Sequence, residues 1–187
     1  TTIELSPFYL ASKITLNKQN LKFLVDELIF SILNLKPDLL GNLNGYIKLH
    51  LTNIEHELIR NGNISFNISQ KTINFSEVLF NIGDIGSIKT EVKYIEENGD
   101  IIFSSSNSLL IKNKNQFAKK FQVKLDKVKH IDMIKFKIER NINTGLVSIF
   151  DIKINQDVNH DKNNVKSRYN IRNTQELKSL VKNIINS

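Results

Sequence analysis

Hydrophobic positions follow two periods along this chain, and the change from one to the other divides it. Leu21, Leu24, Leu28, Ile32 and Leu35 recur at steps of three and four behind Asn20, a residue suited to an N-cap. That spacing gathers the five on one face and predicts a helix over 20–35. Pro37 ends it, because its ring clashes with the preceding turn and it carries no amide donor. Phe23, Val25, Ile29 and Phe30 widen the apolar face, so the helix reads as a core element. Ahead of it, residues 8–18 partly alternate and read as a strand.

After PDLLGNLNG (37–45) the period falls to two. Ile47, Leu49 and Leu51 alternate with Lys48, His50 and Thr52, and Ile64, Phe66 and Ile68 alternate with Ser65, Asn67 and Ser69. Each run predicts a strand with one dry and one wet face. Ile73 and Phe75 share a parity that Val78, Phe80 and Ile82 invert, which predicts a bulge near Ser76 and Glu77. Ile88, Val92 and Tyr94 resume the alternation, Asn98-Gly99 predicts a type I′ turn, and Ile101 and Phe103 return antiparallel. This strand continues through Ser104–Ser108 to Leu109 and Ile111. Residues 113–129 fit both periods, and the expectation there is a short helix near Asn115–Lys120 followed by a strand. Ile134, Phe136 and Ile138 form another strand, and beyond the Asn143-Thr144-Gly145 turn Phe150, Ile152 and Ile154 form the last.

Residues 155–173 carry few apolar positions and read as a polar linker. Thr174 then caps a C-terminal helix whose stripe is Leu177, Leu180, Val181, Ile184 and Ile185, with Lys178 and Lys182 on its wet side. The expected fold class is mainly β (α+β). It is a twisted, curled antiparallel β-meander of about eight strands with one apolar face, packed by the N-terminal helix and the C-terminal amphipathic helix. The expected organisation is one β-rich domain over 1–154, a linker over 155–173 and the helix over 174–187.

Composition narrows the chemistry. At 40% hydrophobic and 24% charged over 187 residues the chain is too apolar for a disordered one, and with no Cys it has neither disulfides nor thiolate chemistry. The stretch Leu21–Leu35 is broken by Lys22, Asp26, Glu27 and Asn34 and falls short of the ~20 apolar residues a bilayer requires. The chain opens at Thr1 without a secretory pattern, so what is in hand reads as a soluble piece. His50, Glu55, His56 and Glu57, His130 with Asp132, and His160 with Asp161 lack a converging ligand spacing, so no metal is expected. Gly83-Asp84-Ile85-Gly86-Ser87 lacks the lysine of a phosphate loop and reads as a turn, and Glu96, Glu97 and Asp100 flank a hairpin tip. Neither an enzyme nor a cofactor is expected.

The formal charge of +7 is localised. Lys112, Lys114, Lys119, Lys120, Lys124, Lys127, Lys129, Lys135, Lys137 and Arg140 outnumber Asp126, Asp132 and Glu139 by seven, and the rest of the chain balances. Such a segment suits a phospholipid headgroup layer or an acidic protein. Nucleic acid is not the expected partner, since the segment holds one Arg and its Phe residues keep core parity.

The runs LLGNLNGYIKLHLTNI, NGNISFNISQKTINFSEVLFNIGDIGSIKTEVKYIEENGDIIFSSSNSLLI and KNQFAKKFQVK resemble the C-terminal region of the AsmA-like proteins of Gram-negative bacteria, over about residues 39–154. The resemblance implies a periplasmic module, anchored to the inner membrane in the full-length protein, whose β-sheet curls into an apolar groove. It also implies a role in outer-membrane biogenesis or phospholipid transport and carries no catalytic residues. Groove positions would be Ile64, Phe66, Ile68, Val92, Tyr94, Ile101 and Phe103, with Lys112, Lys114, Lys119, Lys120 and Lys124 near anionic headgroups. The other expectation is an interaction domain that binds an envelope protein through a sheet edge or through Leu177, Leu180, Val181 and Ile184.

Overall fold

The computed structural model describes residues 2–5, 8–20, 44–69, 72–97, 100–141, 144–155, 164–165 and 168–186. The helix expected over 20–35 lies outside them, as do Asn98 and Gly99. The fold is mainly β, as the period-two runs predict. It separates into two compact units, Thr1–Asn81 and Ile82–Ser187, with the boundary inside the span read as one domain. No described helix is long and apolar enough to cross a membrane.

The first unit contains β1 (Thr2–Leu5), β2 (Phe8–Asn17), β3 (Asn44–Thr52), β4 (Asn61–Ser69) and β5 (Thr72–Ile82). Neighbours pair in sequence order, but β2 and β3 run parallel, from Tyr9 opposite Asn44 to Asn17 opposite Thr52. The expected meander is therefore not antiparallel throughout: a parallel pair needs a long crossover, and residues 18–43 supply its length. One face joins Leu49, Ile64 and Val78 in one cross-strand row and Ile47, Phe66 and Phe75 in another. The Phe66 and Phe75 rings meet at 6.0 Å and 55°. Ser65 pairs with Glu77 and Phe66 with Phe75, which leaves Ser76 as the extra residue of the expected bulge. On the opposite face Lys48 bridges to Glu77 at 3.5 Å across Ser65, whose hydroxyl is buried without a partner.

The segment between β3 and β4 closes on itself. Ile54 N–H donates to the Arg60 carbonyl at 2.8 Å, and Ile54 and Leu58 are buried. His56 Nδ1 accepts the backbone N–H groups of Leu58 and Ile59, both at 3.2 Å. Burial lowers the pKa of this imidazole below its usual 6.5, with Glu57 pulling the other way. Only the neutral ring can accept at Nδ1.

The second unit is an antiparallel meander of β6 (Gly86–Glu97), β7 (Asp100–Ile111), β8 (Met133–Asn141) and β9 (Val147–Ile154). Between β7 and β8 stand two short helices, α1 (Lys114–Phe121) and α2 (Leu125–Val128). The second replaces the strand expected after residue 120: Gln122, in the left-handed region at φ 55°, ends α1, and a new helical turn starts at Leu125. Asn113 caps α1 by accepting from Gln116 N–H at 3.0 Å, and Phe117 stacks on Phe121 at 4.6 Å, one turn apart.

The expected linker is partly structured. Two short strands, β10 (Asn164–Val165) and β11 (Tyr169–Asn170), pair with β9 and occupy backbone groups that an outer strand would leave open. The last helix, α3 (Thr174–Asn186), is capped by Asn173 rather than Thr174. Asn173 Oδ1 accepts Glu176 N–H at 2.9 Å, and the Glu176 carboxylate accepts Arg172 N–H at 2.9 Å. On the dry face of this meander Leu109, Ile111, Ile134, Ile149 and Ile152 are buried, as are Phe117 and Phe121 of α1, Val128 of α2, and Leu180 and Ile185 of α3. Asn107 is a buried polar residue on that face. Its Oδ1 accepts from Thr90 Oγ1 at 2.8 Å, and its Nδ2 donates to Ser105 Oγ at 3.0 Å.

Two outcomes follow for stability. His56 contributes through its neutral form, so that contribution is complete above the unfolded-state pKa and is lost as pH falls below it. Thermal melts should therefore drop further between about pH 8 and about pH 5 for the wild type than for His56→Asn, whose amide oxygen keeps an acceptor that does not titrate; equal drops would refute this. At Gly86 a Cβ would stand 1.9 Å from the Leu110 carbonyl oxygen. Gly86→Ala should lower stability in urea denaturation by about 1–3 kcal/mol, the usual range for overpacking.

Candidate functional site

The groove positions read from the sequence fall on both units. Ile64, Phe66 and Ile68 lie side by side on β4 and are 2%, 1% and 3% exposed, so an acyl chain has no access to them as they stand. On β6 and β7 Tyr94 pairs with Phe103 and Val92 with Ser105, while Ile101 pairs with Glu96. Val92 and Phe103 are half-buried, and the side chains of Tyr94 and Ile101 lie outside the described residues.

The basic segment divides by element. Lys112, Lys119 and Lys124 are exposed on and around α1 and α2, with Lys127 and Lys129 beside them. Among these cations Leu125 is 47% exposed, an aliphatic side chain at the surface. Lys114 is committed elsewhere: its ammonium donates to the Ile131 carbonyl and bridges to Asp132 at 2.6 Å, tying α1 to the start of β8. Lys120 is half-buried and has an interaction partner.

Lys135 and Lys137 stand apart from that group, on the wet face of the meander. Summing charge along the sequence concealed this, because the adjoining positive residues come from other strands. The row formed by direct cross-strand partners is Lys89, Ser108, Lys135 and Lys153. The next row is Glu91, Ser106, Lys137 and Phe150, and the one after it Lys93, Ser104, Glu139 and Ser148. Pairing shifts between Lys135 and Lys137, opposite Asp151 in the left-handed region at φ 52°. Lys137 bridges to Asp151 at 2.8 Å. Arg168 bridges to Glu139 and lies over the Phe150 ring at 4.6 Å, so the residues just before β11 help cover this face. Two open clefts of about 300 Å³ each lie here, one along the first row and one beside Phe150. The alternation of β7, Ser104, Ser106 and Ser108 out and Ser105, Asn107 and Leu109 in, was the signal that could have located them.

Of the C-terminal stripe, Leu180 and Ile185 are buried, while Leu177, Val181 and Ile184 are half-buried. The helix packs on α1 and α2. A mixed groove of about 610 Å³ runs between it and β11, lined by Tyr169, Ile171, Leu180 and Ile184 with Arg168 and Glu176.

The charge follows the units. Residues 1–81 hold 7 Lys and Arg against 7 Asp and Glu, and residues 82–187 hold 19 against 12, so the second carries the whole +7. No family model matches the chain, and it has no match among curated proteins or solved structures.

Proposed function

We propose that this chain is a non-enzymatic binding module that meets an anionic phospholipid surface in a Gram-negative envelope, as the AsmA-like resemblance implies. The observation that carries the reading is the exposed set Lys112, Lys119, Lys124, Lys127 and Lys129, together with the exposed Leu125, on a helical connection of the unit that holds all of the net charge. Lysines with flexible stems suit headgroups whose positions vary, and an exposed aliphatic side chain among them suits the boundary between headgroups and acyl chains. Phospholipid transport and a periplasmic, inner-membrane-anchored setting belong to this same reading. A sheltering role for acyl chains would require Ile64, Phe66 and Ile68 to become accessible, so surface contact is the part of the reading with most support.

Co-sedimentation with vesicles provides the test. The protein should partition onto vesicles of phosphatidylcholine with phosphatidylglycerol and not onto phosphatidylcholine alone. At roughly 1 kcal/mol per lysine near a charged surface, the triple variant Lys119→Gln, Lys124→Gln, Lys127→Gln should bind roughly a hundredfold more weakly. Leu125→Asp should weaken binding in its own right. Partitioning that ignores both lipid charge and these substitutions would refute the reading.

A further inference from the structure

We propose that the cross-strand row Lys89, Ser108, Lys135 and Lys153 is a binding site for a doubly charged phosphomonoester group. It lies on the wet face of the meander and does not depend on the lipid-surface reading of α1 and α2.

Three observations lead there. Lys135 and Lys153 are direct partners on adjacent strands, an arrangement of like charges that destabilises a sheet. Lys89 joins them from β6, with Ser108 between. The two neighbouring rows mix signs: Glu91 accompanies Lys137, which is also bridged to Asp151, and Glu139 accompanies Lys93 and is bridged by Arg168. Of these three rows it alone accumulates one sign, and among the described residues its three lysines enter no ion pair.

The row is also concave. It lines a cleft of about 300 Å³ that includes Ser106 and Ser108, whose hydroxyls can donate to an anion. The pairing shift after Lys135 and the left-handed Asp151 form a bulge at its rim, a device that re-aims side chains beside binding sites. The volume is at the small end for ligand pockets and suits a headgroup-sized molecule.

Charge selects the ligand class. Lys137 and Asp151 neutralise each other, and the three lysines less Glu91 leave two positive charges over the cleft. A phosphomonoester above its second pKa of about 6 supplies two negative charges and three acceptor oxygens, whereas a phosphodiester supplies one charge. Ammonium groups on two or three strands can surround such a group and remove the repulsion between Lys135 and Lys153.

Calorimetric titration of the full chain with glycerol 3-phosphate tests the site. Saturable one-to-one binding is expected, weakened roughly tenfold by Lys135→Gln and by Lys153→Gln, the usual loss for one charge-assisted hydrogen bond. Lys153→Gln should also raise the melting midpoint by about 1–4 °C, since it removes a like-charge pair; weaker binding then cannot be ascribed to unfolding. Lys119→Gln, on α1, should leave the titration unchanged. An equal loss from Lys119→Gln, unaltered affinity in the row variants, or displacement of glycerol 3-phosphate by single-stranded DNA at equal phosphate concentration would overturn the proposal.

Vesicles separate the sources of the group. Preference for phosphatidic acid over phosphatidylglycerol, lost in Lys135→Gln, upholds the site with a lipid ligand. Binding of glycerol 3-phosphate without any vesicle binding upholds it with a soluble ligand and refutes the lipid-surface reading instead. Equal binding to both anionic lipids, indifferent to Lys135→Gln, overturns the site and leaves that reading standing.

Discussion

Cross-strand register is the constraint on which the second unit rests. Because a strand turns successive side chains to opposite faces, one hydrogen-bonded alignment of β6, β7, β8 and β9 decides two surfaces at once. It brings Leu109 opposite Ile134 on the dry side, and in the adjoining positions Ser108 opposite Lys135 on the wet side. A slip of one residue would bury lysines and expose the core, so the apolar face holds the lysine row in place even though the row itself favours no such alignment. The repulsion between Lys135 and Lys153 is small beside the burial of Leu109, Ile134, Ile149 and Ile152, each contributing roughly 1.5–3 kcal/mol.

Asn107 shows how strictly this register works. It sits buried on the dry face, where an unpaired amide would be costly, and its donors and acceptor are taken up by Thr90, Ser105 and the Phe136 carbonyl. Those partners come from β6, β7 and β8, so the amide adds directional bonds to a non-directional apolar face. Lys114 does related work at the edge of the sheet, where one ammonium holds α1 to the entrance of β8 and is thereby withdrawn from any role at the surface.

The wet face and the helical connection offer two different kinds of cation. Around Leu125 the lysines are exposed and separate, which suits an extended charged layer met by electrostatic attraction. Along Lys89, Lys135 and Lys153 they are held by neighbouring strands over a cleft, which suits a single compact anion. Strand pairing fixes the backbone positions from which these three lysines extend, whereas the lysines around α1 and α2 share no such row.

Much of the architecture was legible in the sequence for local reasons. Alternation over Ile101–Ile111, the parity inversion near Ser76, and the stripe Leu177–Ile185 each depend on residues close in the chain, and each appears where it was expected. Three features were not legible in that way. The parallel pairing of β2 and β3 joins segments across residues 18–43. The short strands β10 and β11 form because β9 offers a backbone edge, not because their own residues are apolar. The strand expected after Lys120 became α2 when Gln122 took a left-handed turn. The site divides in the same manner: the sequence alone determined that this protein is basic, with its excess concentrated between Lys112 and Arg140. Only tertiary structure decided which of those charges meet, because Lys89 and Lys153, on other strands, join Lys135 in one row through strand pairing, while Lys114 is consumed by Asp132.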